Sequence, residues 1–234
     1  ANNYEFLVFE AGLGGEFDAT SVVTRDLSLV TTIDFDHQAF LGNTIKEIAG
    51  TKIRSCKNKV ILGDQIHDDV VKIAREICTE TNLMFFDDDL EIPNFLDFPP
   101  FLVHNLKLAC SAIKFLGFEI DFEKFADVKL FGRCQKLNSN ITIDVGHNEL
   151  AASAVFKMFE YKKINLIYGS YKDKNYSKIL EILKPIIDKL FIIEICDEPR
   201  MESYENIEQC AKKLDSIVSH SLELHTNEEY LVFG

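Results

Sequence analysis

Short apolar runs alternate along the chain with longer stretches in which apolar residues recur every three or four positions. The runs Tyr4–Glu10, Ser28–Ile33, Lys59–Leu62 and Leu83–Phe86 predict strands, and Thr44–Ile53, Asp64–Thr79 and Phe101–Leu116 carry the helical period. Near-continuous apolar strands separated by amphipathic helices predict a mostly parallel sheet covered on both faces. The pattern then restarts. Asn140–Val145, Lys163–Tyr168, Leu190–Ile195 and Tyr230–Phe233 predict strands, with helices at Asn148–Phe159, Tyr176–Ile187 and Ser203–Val218 between them. This is a compact second α/β unit of Rossmann-like type. Glu123–Gln135 links the two units, and the acid- and proline-rich Asp87–Pro100 is a surface loop.

Charge supports the division. Residues 1–127 hold 11 basic and 22 acidic side chains, a net of −11, whereas residues 128–234 hold 14 and 16, a net of −2. The acidic half is either a solvated face or the surroundings of a metal-assisted anion site. A total of −13 disfavours a nucleic-acid groove, because phosphate binding needs clustered Lys and Arg. No apolar run is long enough to span a bilayer, and no secretory signal opens the chain. The six cysteines are scattered without C-x-x-C spacing, as expected of reduced thiols in a cytoplasmic protein. The first unit opens directly in a strand and the chain stops directly after one, so both ends are expected to be cut.

Three segments carry candidate chemistry. Glu10-Ala11-Gly12-Leu13-Gly14-Gly15-Glu16-Phe17-Asp18-Ala19-Thr20 places an acid after a strand and then a glycine-rich turn. Such a turn lets backbone amides approach a ligand at the sheet edge, or it is simply a tight turn with a capping acid. It is not a Walker A loop, since no Gly-Lys-Ser/Thr follows. Asp34-Phe35-Asp36-His37 follows the Ser28–Ile33 strand, so Glu10 and His37 both lie just past strand ends. The acids suit Mg²⁺, whereas His37 is a softer ligand and by its residue type reads first as a hydrogen-bonded loop residue. Lys52 closes a helix, where a cation is favoured by the dipole. Finally, Gly132-Arg133-Cys134-Gln135 precedes Asp144-Val145-Gly146-His147-Asn148, a strand-to-helix turn whose acid either binds ribose hydroxyls or caps the helix, as Asn148 also can.

Taken together, these segments resemble the folylpolyglutamate synthase/dihydrofolate synthase family of the Mur ligase superfamily, ATP-dependent amide ligases. Glu10–Thr20 resembles the family's E-V-G-L-G-G-R-L-D-A-T. Thr31–Lys52, with Asp36-His37, Phe40-Leu41-Gly42 and Glu47-Ile48, resembles its D-H…L-G…I…K segment. Gly132–Gln135 and Asp144–Asn148 resemble its G-R-x-Q and D-x-A-H-N, with further echoes at Asp173-Lys174, Pro199-Arg200 and Leu231–Gly234. The resemblance implies an α/β fold: the later part of a P-loop-type central domain over 1–127, then a Rossmann-like C-terminal domain over 128–234. It further implies that Glu10 and His37 ligate Mg²⁺ and that Lys52 becomes carbamylated. Phe17, Asp18 and Ala19 are implied to contact folate, and Asn105, Arg133, Asp144 and His147 to contact ATP.

The sequence departs from the pattern in places. Glu16 stands where the family has Arg, Thr51 where it has an acid, Ile53-Arg54 where it has Ala-Gly, and Gly146 where it has Ala. The family's phosphate loop, and the serine that completes its metal site, would lie upstream of Ala1. The implied activity is glutamate addition to folate or dihydropteroate through an acyl phosphate, by a cytoplasmic monomer using ATP, L-glutamate and Mg²⁺ and binding neither nucleic acid nor membrane. The isolated chain is expected to be inactive. The alternatives are another Mur-type amino-acid ligase and a non-catalytic nucleotide-binding module.

Overall fold

The computed structural model describes residues 5–234, which fall into two compact units, one ending at Ala126 and one spanning Asp127–Gly234.

The first unit holds a three-stranded parallel sheet, β1 (Leu27–Val30), β2 (Lys59–Leu62) and β3 (Leu83–Phe85), in the order β1-β2-β3. Helix α1 (Gln38–Leu41) and helix α2 (Ile45–Arg54) return the chain from β1 to β2, and α3 (Asp68–Ile77) from β2 to β3. A capping box starts α2: the Thr44 hydroxyl accepts from the Glu47 amide while the Glu47 carboxylate accepts from the Thr44 amide. From there Ile45, Ile48, Ala49 and Ile53 turn inward and join Val60, Leu62, Val70 and Ile73 in one apolar core. The long helix α4 (Pro100–Phe115) begins with Pro100 at a position whose amide needs no partner.

Just past the sheet, the Gln65 side chain stitches the ends of two strands together. Its carbonyl accepts from the Ile33 amide (2.9 Å), and its amide donates to the carbonyls of Thr31 and Gly63 (3.1 Å each). The Thr32 hydroxyl adds a bond to the Asp64 carbonyl at 2.8 Å.

The second unit is a six-stranded sheet ordered β4-β5-β9-β6-β7-β8. Its strands are β4 (Gln135–Lys136), β5 (Ile141–Asp144), β6 (Ile164–Tyr168), β7 (Ile187–Ile192), β8 (Val218–Ser219) and β9 (Tyr230–Phe233). Only β4 runs antiparallel to its neighbour. Every residue of β6 is buried, which is why its sequence reads as an unbroken apolar run. Helices α5 (Glu149–Phe159), α6 (Tyr176–Leu183) and α7 (Tyr204–Lys213) supply Ala152, Val155, Ile179, Leu180, Leu183, Ile207 and Ala211 to the core over Leu166, Leu190 and Leu231.

Three expectations are corrected. No strand forms over Glu5–Glu10; Tyr4 lies outside the described residues. Phe6, Leu7, Val8 and Phe9 are 51, 66, 98 and 46% exposed, because an apolar run becomes a strand only where a neighbour pairs its backbone. Helix α6 stops at Leu183 rather than Ile187, because Pro185 has no amide to continue it; β7 therefore starts three residues earlier than expected. Helix α7 ends at Lys213, and Asp215 then takes a left-handed turn (φ 52°) into β8.

The strand-to-helix turn after β5 is tightly packed. A Cβ on Gly146 would lie 2.5 Å from the Ala151 Cβ, 2.7 Å from an Asp144 oxygen and 2.9 Å from the Phe233 ring. Gly146→Ala, which restores the residue usual in the resembled motif, is expected to lower stability by about 1–3 kcal/mol through overpacking. Urea denaturation of the purified chain reads this directly, and an unchanged midpoint would contradict it.

Candidate active site

The Glu10–Thr20 segment closes on itself. The Asp18 carboxylate accepts from the Gly12 and Leu13 amides (3.0 and 3.2 Å) through one oxygen, and from the Thr20 amide and hydroxyl (2.9 and 2.7 Å) through the other. These bonds, led by those from Thr20, hold its pKa down to about 2. Asp18 is therefore a capping acid, taking up the Gly12 and Leu13 amides of its own turn. Gly14 and Gly15 adopt positive φ (68° and 120°). A Cβ on Gly14 would meet the Leu41 side chain at 2.7 Å, and one on Gly15 the Ser55 hydroxyl at 2.6 Å. The glycines therefore seat the loop on α1 and the end of α2.

That seating leaves Phe17 88% exposed and Ala19 exposed beside it. Glu16 bonds to Arg54 at the end of α2: Arg54 Nε donates to both carboxylate oxygens at 2.9 and 2.8 Å, and Nη2 lies 2.7 Å from Oε2. The guanidinium lowers the Glu16 pKa and is itself raised by the pairing. Two of the positions at which the sequence departs from the resembled motif are thus each other's partner.

Glu10 lies in irregular, exposed chain. His37 caps α1 in a left-handed conformation (φ 50°, ψ 36°) that is uncommon for a side-chain-bearing residue. Its amide donates to Asp36 Oδ1 at 2.8 Å, and its exposed ring has Nε2 3.8 Å from the same oxygen. Lys52 is half-buried on α2. Burial lowers its pKa, and the nearby Asp36 charge opposes that shift.

Sequence reasoning missed a second set at the ends of β1 and β2. His67 Nε2 lies 2.8 Å from Asp34 Oδ1, and His104 Nδ1 lies 3.4 Å from Asp64 Oδ2. The signal was present in Gly63-Asp64-Gln65-Ile66-His67, an acid and a histidine directly after β2, as Asp34–His37 follows β1. Among the described residues, no three His, Cys, Asp or Glu side chains gather as a ready-made metal site. Asn105 sits exposed in the second turn of α4.

In the second unit Asp144 is 3% exposed and its carboxylate is fully engaged. Oδ2 accepts from the Cys134 amide (2.9 Å) and thiol (3.2 Å), and Oδ1 from the Gly146 amide (2.7 Å). Burial and the Asp144 charge push the Cys134 thiol far above its ordinary pKa, so it is a hydrogen-bond donor rather than a nucleophile. Gly132, at φ 65°, accepts from the Val145 amide (2.8 Å), which fastens the Gly132–Gln135 turn against the end of β5 and leaves the Arg133 side chain exposed. Asn148 is the N-cap of α5, accepting from the Ala151 amide at 2.9 Å. The half-buried His147 has Nδ1 3.2 Å from the Val145 carbonyl.

Sheets of mostly parallel strands whose carboxyl ends carry these loops define an α/β fold. Solved structures share it. That of Yersinia pestis folylpolyglutamate synthase/dihydrofolate synthase, complexed with AMPPNP and a manganese ion, superposes with a TM-score of 0.73 at 22% identity, covering 96% of this chain and 62% of that one. The resemblance read from the motifs is likewise found among relatives. Helicobacter pylori folylpolyglutamate synthetase is 33% identical with a TM-score of 0.65, over 96% of this chain and 60% of that one. The dihydrofolate synthase/folylpolyglutamate synthase of Buchnera aphidicola subsp. Baizongia pistaciae is 28% identical over 99% of this chain. The chain spans 63% of that protein's length. No family model matches the chain.

Proposed function

We propose that the chain is the later portion of an ATP-dependent ligase that adds L-glutamate to folate or dihydropteroate. In this reading the first unit belongs to the ATPase domain and the second is the C-terminal domain of a cytoplasmic monomer. No described helix is long and apolar enough to cross a membrane. The observation that carries the reading is the likeness to the Buchnera enzyme along 99% of the chain.

The γ-phosphoryl group of ATP would pass to the substrate carboxylate, releasing ADP. The glutamate amine would then attack the acyl carbon, and phosphate would leave as the amide forms. Asn105, Arg133, Asp144 and His147 are the residues proposed to meet ATP; Arg133 offers an exposed guanidinium suited to phosphate oxygens. By accepting from the Cys134 and Gly146 amides, Asp144 also sets the turn that carries His147. Phe17, Asp18 and Ala19 would face the folate.

The donor set suits a divalent cation that keeps water and phosphate oxygens in its shell. Glu10 offers a carboxylate, His37 an imidazole, and a carbamate on Lys52 would add anionic oxygens. Bound Mg²⁺ would neutralise charge developing on the phosphoryl oxygens. The lowered pKa of Lys52 favours the neutral amine from which a carbamate forms.

The test is ADP release by the product of the whole reading frame that carries this chain, with Mg·ATP. Release that requires both glutamate and either dihydropteroate or tetrahydrofolate is expected. Release with neither pterin would sink the reading.

A further inference from the structure

Phe17 stands between two tethered carboxylates. On one side Asp18 is held by Gly12, Leu13 and Thr20. On the other, Glu16 is held by Arg54 in a two-pronged ion pair, the geometry in which a carboxylate–guanidinium contact is strongest and most directional. The Arg54 guanidinium lies over Gly50, where an added Cβ would come within 2.7 Å of Nη1. The helix end it grows from is fastened as well, by Arg25 Nη2 donating to the Ser55 carbonyl at 2.7 Å. All this order surrounds a ring that is 88% exposed and adds nothing to the core. A fully solvated aromatic in a braced loop is built to meet a ligand rather than to stabilise the fold.

We propose that Glu16 and Arg54 are positioning residues whose ion pair clamps the loop to α2 and presents Phe17 to stack on the flat ring of a pterin substrate. The proposal rests on the ligase reading for the identity of that ring. Because α2 also carries Lys52, the clamp ties the ring-binding loop to the same helix as the proposed carbamate.

The chain contains no tryptophan, so Phe17→Trp provides a single emitting indole at the exposed position. In that background E16Q and R54Q are each expected to lower the indole's anisotropy while leaving the thermal midpoint in place. The charge-swapped double variant E16R/R54E is expected to restore it. Dihydropteroate titrated against the same indole should bind about tenfold more weakly to each single variant and within about threefold of the parent in the swap. Unchanged anisotropy in the single variants, or a swap no better than they are, overturns the clamp. Equal dihydropteroate affinity in all four chains overturns its role in positioning. If neither the parent nor the product of the whole reading frame binds dihydropteroate, the folate reading falls, and the anisotropy still decides whether the clamp exists.

Discussion

Replacing Lys52 with alanine is expected to reduce glutamate-dependent ADP release at least about a hundredfold, the size of effect seen when one preorganised charge at a reacting phosphoryl or acyl group is removed. The expectation follows from where the lysine sits. A fully exposed lysine stays protonated at neutral pH, and an ammonium cannot attack carbon dioxide. Lys52 is half-buried and its pKa is lowered, so more of it is neutral at a given pH. The free amine would form an N–C bond to carbon dioxide and lose a proton, leaving a carbamate anion. Activity should therefore rise on adding bicarbonate, and isotope-labelled bicarbonate should report a carbamate signal that Lys52→Ala abolishes. Full activity in Lys52→Ala would remove this lysine from the mechanism. The same lowered pKa sets a sign for stability. The unfolded chain keeps the lysine proton to higher pH than the folded chain does, so this group's contribution to stability grows as pH rises from below its folded value towards the ordinary lysine range. Lys52→Met should flatten that part of the pH–stability curve.

The second large effect is expected at Asp144. Its carboxylate is buried and satisfies the amides of Cys134 and Gly146, both in turns that no ladder partner could satisfy instead. Asp144→Ala leaves two amide donors without an acceptor, each costing about 1–3 kcal/mol. A loss of about 3–5 kcal/mol is expected, a large fraction of a typical domain's stability. Denaturant unfolding of the chain reads it, with a second expected sign: amide exchange at Cys134 and Gly146 should accelerate more than at β6. A loss under about 1 kcal/mol would mean that water replaces the carboxylate, and that Asp144 is free to serve a ligand.

Strands buried on both faces were the most legible part of this sequence. Residues 59–62 and 230–233 are strands with the bounds their apolar runs suggest. The run over residues 5–10 is just as apolar yet forms no strand, because hydrophobicity marks what could pair and only a neighbouring backbone makes it pair. Pro185 ends α6, whereas periodicity alone predicts a helix running on to Ile187. The candidate site was legible as residue types in order, since Glu10–Thr20 and Asp144–Asn148 are contiguous. What could not be read were contacts between distant residues: Glu16 with Arg54, 38 positions apart, and Asp34 with His67, 33 apart. Each is an ordinary acid and base in the sequence until the fold brings them together.

The Gln65 stitch has a consequence for how the edge of the first sheet responds to substitution. One side chain ties the backbone at Thr31 and Ile33 to that at Gly63, so the segments carrying Asp34–His37 and Asp64–His67 form one mechanical piece. Substitutions in the two segments are then expected to combine non-additively in denaturant unfolding while Gln65 is present, and additively once it is replaced by alanine.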